Sequence, residues 1–247
     1  RILFNQSYGI GKINALQNQK ANKIHSNATT SDVVSFSGNI ERHKIKVEPD
    51  TAEFVANSLS TSTSGHRAPY GSKTFNPEIV ELMTLGVAEY AKEAAARGNK
   101  KPVVLIGGDT RQATKESLPL IKDTLVNQGI DVIYIKEPVP TPLHALMTKE
   151  KDIDVSILLT ASHNPWSDGG FNLVTKEGAI APPSVTKKVA QNIVDYAKKG
   201  VYTTDKRKRG NVIETFPYDM YKEQLNSYNL IDWDAIRNAG ITIYYDD

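Results

Sequence analysis

The sequence predicts an α/β fold: a mixed parallel sheet sandwiched by helices, with the beginning of a second, similar domain near its end. Two observations carry that expectation. Between Asn76 and Gly200, short apolar runs alternate with segments whose apolar residues recur every three or four positions, the pattern of buried strands and half-buried helices. The helical segments also end on glycine, at Gly98, Gly129 and Gly200, and strand and helix in regular alternation favour a parallel or mixed sheet covered by helices.

In chain order, residues 1 to about 48 are rich in Asn, Gln, Ser and Lys and are expected to form a leader of short helices and loops. Asp50 is a candidate cap for a short helix carrying Ala52, Phe54, Val55 and Leu59, because its carboxylate can accept from free first-turn amides. A Ser/Thr-rich loop runs to Tyr70. Asn76 and Pro77 then start a helix with Ile79, Leu82, Met83, Val87 and Tyr90 on one face. Strand Val103 to Ile106, a helix from about Thr114 to Gln128, and strand Val132 to Ile135 make a βαβ unit. Leu143 to Met147 begins a helix, Val155 to Thr160 reads as a buried strand, and Val185 to Lys199 as an amphipathic helix. The cationic run Lys206 to Arg209 reads as a solvated loop and is given no function. Phe216 to Leu225 and Trp233 to Asn238 are expected helices, and Ile241 to Tyr245 begins a strand. The expected organisation is a leader at 1–60, an α/β domain at 61–210, and linker helices with the first strand of a truncated further domain at 211–247.

With 30 basic and 28 acidic residues, the net charge of +2 is too balanced to make nucleic acid or an anionic membrane the expected partner. Small-molecule chemistry fits better. There is no cysteine, which rules out a disulfide framework, a thiolate metal site and a cysteine nucleophile, and is compatible with a reducing compartment such as the cytoplasm. No stretch approaches the roughly 20 apolar residues of a membrane span, and the first residues do not read as a targeting signal. The chain opens on Arg rather than Met, which suggests a processed, trimmed or incompletely represented polypeptide.

The most informative segment is Thr160-Ala161-Ser162-His163-Asn164-Pro165, directly after an apolar strand and followed by Asp168-Gly169-Gly170. Ligands of open α/β sheets sit at the carboxyl ends of strands, where a loop can expose a hydroxyl, so Ser162 is the candidate nucleophile. The same residues are turn formers, and composition alone also allows a plain turn.

Thr160 to Pro165 resembles the phosphoserine-loop signature of the α-D-phosphohexomutase family. Three more motifs follow that family's order: Thr63-Ser64-Gly65-His66-Arg67, Gly108-Asp109-Thr110-Arg111 and Pro140-Thr141-Pro142. The resemblance covers roughly Ser62 to Asp247, the N-terminal portion of the family, and Ser-Gly-His-Arg is more similar to phosphoglucomutase than to phosphoglucosamine mutase. It implies that phosphorylated Ser162 passes its phosphoryl group to a hexose 1-phosphate, and that the resulting bisphosphate reorients and returns one group, leaving a hexose 6-phosphate. It further implies Mg²⁺, held in part by the phosphate on Ser162, and glucose 1,6-bisphosphate as primer. Arg67 and His163 are the implied catalytic partners, with His66 and Asn164 at the substrate. A guanidinium grips phosphate oxygens well, and a histidine can move a proton near neutral pH. Asn164 and Asp168 would shape the loop through side-chain to backbone hydrogen bonds, with Gly169 and Gly170 permitting a tight path. Asp109 and Arg111 could brace the site or form a surface ion pair.

The resemblance breaks at two residues. Asn172 stands where the family usually has a lysine expected to act in proton transfer or phosphate stabilisation, and Ala68 replaces the glycine that normally follows the arginine. Lys73 and Lys176 are conceivable substitutes for the missing amine. The family's metal loop of three alternating aspartates has no counterpart: Asp152-Ile153-Asp154 and Asp232-Trp233-Asp234 offer two carboxylates each. The chain alone is therefore expected to be inactive. The alternative is a non-catalytic phosphosugar-binding or regulatory relative.

Overall fold

A computed structural model describes residues 34–36, 38–242 and 244 of the 247. The predicted leader up to residue 33 lies outside them. In chain order the elements are β1 (Val34–Phe36), β2 (Ile40–Lys44), α1 (Pro49–Thr61), β3 (His66–Pro69), α2 (Pro77–Arg97), β4 (Val103–Gly108), α3 (Gln112–Asn127) and β5 (Asp131–Ile135). They continue with α4 (Thr141–Glu150), β6 (Val155–Leu159), β7 (Asp168–Val174), α5 (Pro183–Lys199), β8 (Val201–Asp205), β9 (Val212–Thr215), α6 (Tyr218–Ser227) and α7 (Trp233–Asn238).

The main sheet runs β3-β7-β6-β4-β5-β9. β6, β4, β5 and β9 are parallel neighbours, whereas β7 is antiparallel to both β6 and β3, so the sheet is mixed as expected. Alternation along β4 and β5 sends Val104, Ile106, Val132 and Tyr134 into a large core beneath α1, α2, α3 and α5. Leu105, Ile133 and Ile135 point the other way, against Leu143 and Met147 of α4 and Tyr218, Met220 and Tyr221 of α6. Helices thus cover both faces, which is why the central strands read as continuous apolar runs.

The predicted helix punctuation is present. Asn76 caps α2 by accepting from the Ile79 amide at 3.0 Å. Gly200 ends α5 at φ 67°, a left-handed conformation that glycine adopts without a Cβ penalty.

Four expectations need correction. The end of the leader is a pair of strands, β1 and β2, which extend through β8 into a separate three-stranded antiparallel sheet. Asp50 does not cap α1: Glu48 holds that position with no side-chain bond, Pro49 opens the helix, and Asp50 lies in its first turn. Gly169 and Gly170 belong to β7 rather than to a turn. At the other end, Ile241, Thr242 and Tyr244 lie in no strand, and the remainder of that predicted strand falls outside the described residues.

Candidate active site

Ser162 sits in the connection between β6 and β7, at the carboxyl end of the sheet's central parallel strands. It is exposed and its φ of 57° is left-handed, unusual for a residue with a side chain. Its amide donates to Thr160 Oγ1 at 3.1 Å, so the preceding threonine stabilises this bend. Ser162 Oγ lies 3.2 Å from His163 Nδ1.

Arg111 fixes the loop. Its Nη2 donates to the carbonyls of Ser162 and Asn164 at 2.7 and 2.8 Å, and its Nη1 donates to the carbonyls of Asp168, at 3.3 Å, and Pro165. Asp109 aims the guanidinium by accepting from Arg111 Nε and the Arg111 amide, both at 3.1 Å. Thr114 Oγ1 donates to the same carboxylate at 2.8 Å. The Arg111 side chain is only 13% exposed, so the surface-pair alternative does not describe it. The motif Gly108-Asp109-Thr110-Arg111 carries this arrangement because β4 lies beside β6 and delivers Arg111 under the serine loop.

Arg67 reaches the same place from β3, whose pairing sets it opposite Gly170. Its Nε donates to the Ser64 carbonyl at 3.1 Å, and its Nη1 lies 3.5 Å from Asn164 Oδ1, a long contact. Asn164 Nδ2 donates to Asp168 Oδ2 at 3.0 Å, so these two residues join side chain to side chain rather than side chain to backbone as expected. The two glycines act through clearance. A Cβ at Gly169 would stand 2.4 Å from the Phe75 ring, and one at Gly170 would stand 2.0 Å from the Thr160 carbonyl oxygen. They let β7 and the chain beside it approach closely.

His66, expected at the substrate, is not brought to the loop surface. It is 1% exposed, its Nε2 donates to the Thr74 carbonyl at 2.7 Å, and its Nδ1 lies 3.0 Å from Ser58 Oγ. The carbonyl partner fixes the tautomer with the proton on Nε2, so Nδ1 accepts from the serine hydroxyl. Burial lowers its pKa, opposed in part by the bond to Thr74. Its ring stacks on Phe75 with centroids 5.8 Å apart, as a core residue does.

A family model described as phosphoglucomutase/phosphomannomutase, alpha/beta/alpha domain I, matches residues 58–199. The chain belongs to the phosphoglucomutase/phosphomannomutase family. Within it, the chain is 25% identical over 212 residues to a phosphoglucomutase of Komagataeibacter xylinus, an alignment covering 81% of this chain and 37% of the relative. It is 33% identical over 132 residues to a phosphoglucosamine mutase of Erythrobacter litoralis, covering 53% of this chain and 28% of that one. Among solved structures, one from Paramecium, parafusin (phosphoglucomutase) in an open form, superposes with a TM-score of 0.53 at 20% identity, covering 70% of this chain and 35% of that one. This last likeness concerns the fold. The chain spans well under half the length of these mutases.

Asn172, where the resemblance led to the expectation of a lysine, has its side chain in the interior. It is 3% exposed, and its Nδ2 donates to the carbonyls of Thr160 at 2.8 Å and Leu158 at 3.2 Å. Its Oδ1 would lie 2.7 Å from a Cβ on Gly65, so the amide fills the space under the Thr63-to-Arg67 segment. The burial of Asn172 was invisible in sequence because it comes from β7, a strand that begins with Asp-Gly-Gly. Of the substitutes considered for the amine, Lys73 is exposed, and Lys176 lies beyond the far end of β7.

The residues described do not fit Mg²⁺ by themselves. Asp109 is committed to Arg111 and Thr114, and Asp168 to Asn164, while a hard cation of this kind takes near-octahedral oxygen ligands. The two aspartate pairs are structural. Lys100 binds Asp152 and Asp154 at 2.7 and 3.4 Å, Asp232 caps α7 by accepting from the Ala235 amide at 2.8 Å, and Asp234 binds Arg237 at 2.6 Å.

Proposed function

We propose that the chain carries the phosphoserine part of a hexose phosphate mutase of the phosphoglucomutase type, interconverting hexose 1-phosphate and hexose 6-phosphate. The observation that supports it best is Ser162: an exposed hydroxyl on a left-handed residue, next to His163, in a loop whose four carbonyls accept from Arg111. In this reading a sugar hydroxyl attacks the phosphorus on Ser162, the P–O bond to Oγ breaks, and the proton of the attacking hydroxyl ends, in net, on Oγ of the freed serine. His163 is placed to hold or return a proton at Oγ. Arg67 offsets the negative charge that spreads over the phosphoryl oxygens, since such transfers depend on positioning and electrostatics more than on covalent help. Glucose 1,6-bisphosphate would prime the serine. Mg²⁺ would neutralise phosphate charge. The sugar, the cytoplasmic location and the inactivity of the chain alone belong to the same proposal. The test is phosphate transfer from labelled glucose 1,6-bisphosphate, with Mg²⁺, to the protein at its native length. Peptide mass spectrometry should find the label on Ser162, and an unlabelled Ser162 in folded protein would end this reading.

Asn172 favours a second reading, a phosphosugar-binding relative that does not turn over. A buried amide cannot titrate, so it cannot replace an amine in proton transfer. Asn172→Lys separates the two. It should cost about 1–2 kcal/mol of stability, since the amide donations to the Leu158 and Thr160 carbonyls are lost. A gain in turnover would assign a rate deficit to the missing amine; absence of turnover in both forms, with sugar phosphate still bound, would establish the binding relative.

A further inference from the structure

The end of α3, the outer turns of α2 and α5, and β8 enclose a cleft of about 570 Å³ that shares no residue with the serine loop. Its size is that of small-molecule sites, which run roughly from 300 to 1,000 Å³. Lys92 is built into its wall. The Lys92 ammonium donates to Gln128 Oε1 at 2.9 Å, and Gln128 Nε2 donates to the Thr203 carbonyl at 3.0 Å, which ties the amide to β8. Burial lowers the pKa of Lys92, a sign that its charge is under-solvated, while Glu89 at 3.8 Å acts in the opposite sense. Glu89 is shared, since it also accepts from the Tyr196 hydroxyl at 3.3 Å.

The cationic run Lys206 to Arg209 supplies the second observation. Its four residues are exposed, as expected of a solvated segment, but two are paired: Lys206 binds Glu41 at 2.6 Å, and Arg207 binds Asp205 through Nε and Nη2, both at 3.0 Å. The other carboxylate in the cleft wall, Asp205, is therefore already neutralised. Lys208 and, from the end of α5, Lys199 line the same cleft; among the described residues neither forms a direct ion pair, and Lys208 acts on Asp205 only through its field. The wall thus holds three ammonium groups, with one shared carboxylate and one spent carboxylate. Ammonium groups are point donors that suit a tetrahedral, multiply charged oxyanion.

We propose that this cleft is a second binding site, for a small soluble phosphate-bearing ligand, with Lys92 as its fixed base and Lys199 and Lys208 as its gripping cations. It is separate from the serine loop, so a phosphate-bearing metabolite there would act as a regulator or a second ligand, not as the substrate.

The experiment is calorimetric titration of inorganic pyrophosphate into native-length protein at low ionic strength. Two variants accompany the wild type: the double variant Lys199→Gln/Lys208→Gln, whose exposed side chains can be changed without disturbing the core, and Arg67→Gln, which weakens the serine loop. The wild type should bind. The double variant should bind at least about tenfold more weakly, as expected for the loss of charge-assisted contacts, and Arg67→Gln should retain the binding that the double variant loses. Wild-type protein that binds no pyrophosphate, a double variant with unchanged affinity, or loss of all binding in Arg67→Gln would each overturn the proposal. The last result would place the anion at the serine loop alone.

Discussion

Both ends of β4 are tied down by an aspartate and a cation, yet only one end organises a neighbouring loop. At the carboxyl end, Asp109 aims the Arg111 fork, and the fork serves four carbonyls of the serine loop. At the other end, Asp154 accepts from the Val103 amide at 2.9 Å, and Lys100 joins Asp154 and Asp152, the latter with its side chain 84% exposed. The Lys100 pKa is raised, first by its bond to Asp152. A planar guanidinium held by a carboxylate can fix several acceptors in one plane, whereas an ammonium on a flexible stem forms a screened pair of small net worth. The same two charge types therefore give a scaffold for a loop at one end of the strand and, at the other, a bridge that ties only the buried Asp154 and the exposed Asp152.

Five changes, each made in the native-length protein, sharpen or break that comparison. Ser162→Ala should abolish turnover, by a factor on the order of 10⁴ or more, with little effect on folding; retained turnover, followed in a coupled assay, would remove the serine from its role. Arg111→Ala should lower turnover by about two orders of magnitude and cost roughly 2–3 kcal/mol, read from kcat/KM and urea unfolding, because the loop would lose both its geometry and its donors. Arg111→Lys should restore little, since one ammonium cannot span the four carbonyls. Between the two ends, His144 under Gly107 gives a pH signature. Its ring is fully buried, Nε2 meets Ser156 Oγ, Nδ1 has no partner among the described residues, and burial pushes its pKa down to about 3 from 6.5. The folded protein then binds fewer protons than the unfolded chain below pH 6.5, so stability from this group is complete above that value and falls towards pH 3, by up to about 1.4 kcal/mol per pH unit. His144→Leu should flatten the difference in unfolding free energy between pH 7 and 4; an unchanged slope would mean the ring is solvated. Asp152→Asn, which removes only the exposed arm of the Lys100 bridge, should change stability by no more than about 0.5 kcal/mol, and a larger loss would erase the contrast between the ends.

The legible parts of the fold were those fixed by local pattern. The helices α2, α3 and α5 and the strands β4, β5 and β6 follow from apolar periodicity and from Asn and Gly at their ends. The strands that escaped notice owe their form to partners. β3 is His-Arg-Ala-Pro and β7 starts Asp-Gly-Gly, sequences that suggest loops until they pair with each other and with β6. At the site, the motifs located Ser162, Arg67 and Arg111, because residue types and order survive in a string. The burial of His66 and Asn172 did not, because it depends on Thr74, Ser58 and Thr160, supplied by other turns of the chain. Neither did the four acceptors of Arg111, which lie more than fifty residues downstream of it in sequence.

The crowding at Gly170 bears on how the protein can vary. With the Thr160 carbonyl oxygen 2.0 Å from where any side chain would begin, the position is closed to the other amino acids by backbone rather than by a movable neighbour. Gly71, with nothing within 4 Å, has no such wall and is limited only by its φ of 84°. In a library randomised at both sites and selected for folded protein, position 170 should return glycine alone, while position 71 should also admit Asn and Asp. Drift under the serine loop is thus blocked by the main chain itself, whatever reaction the loop is later adapted to perform.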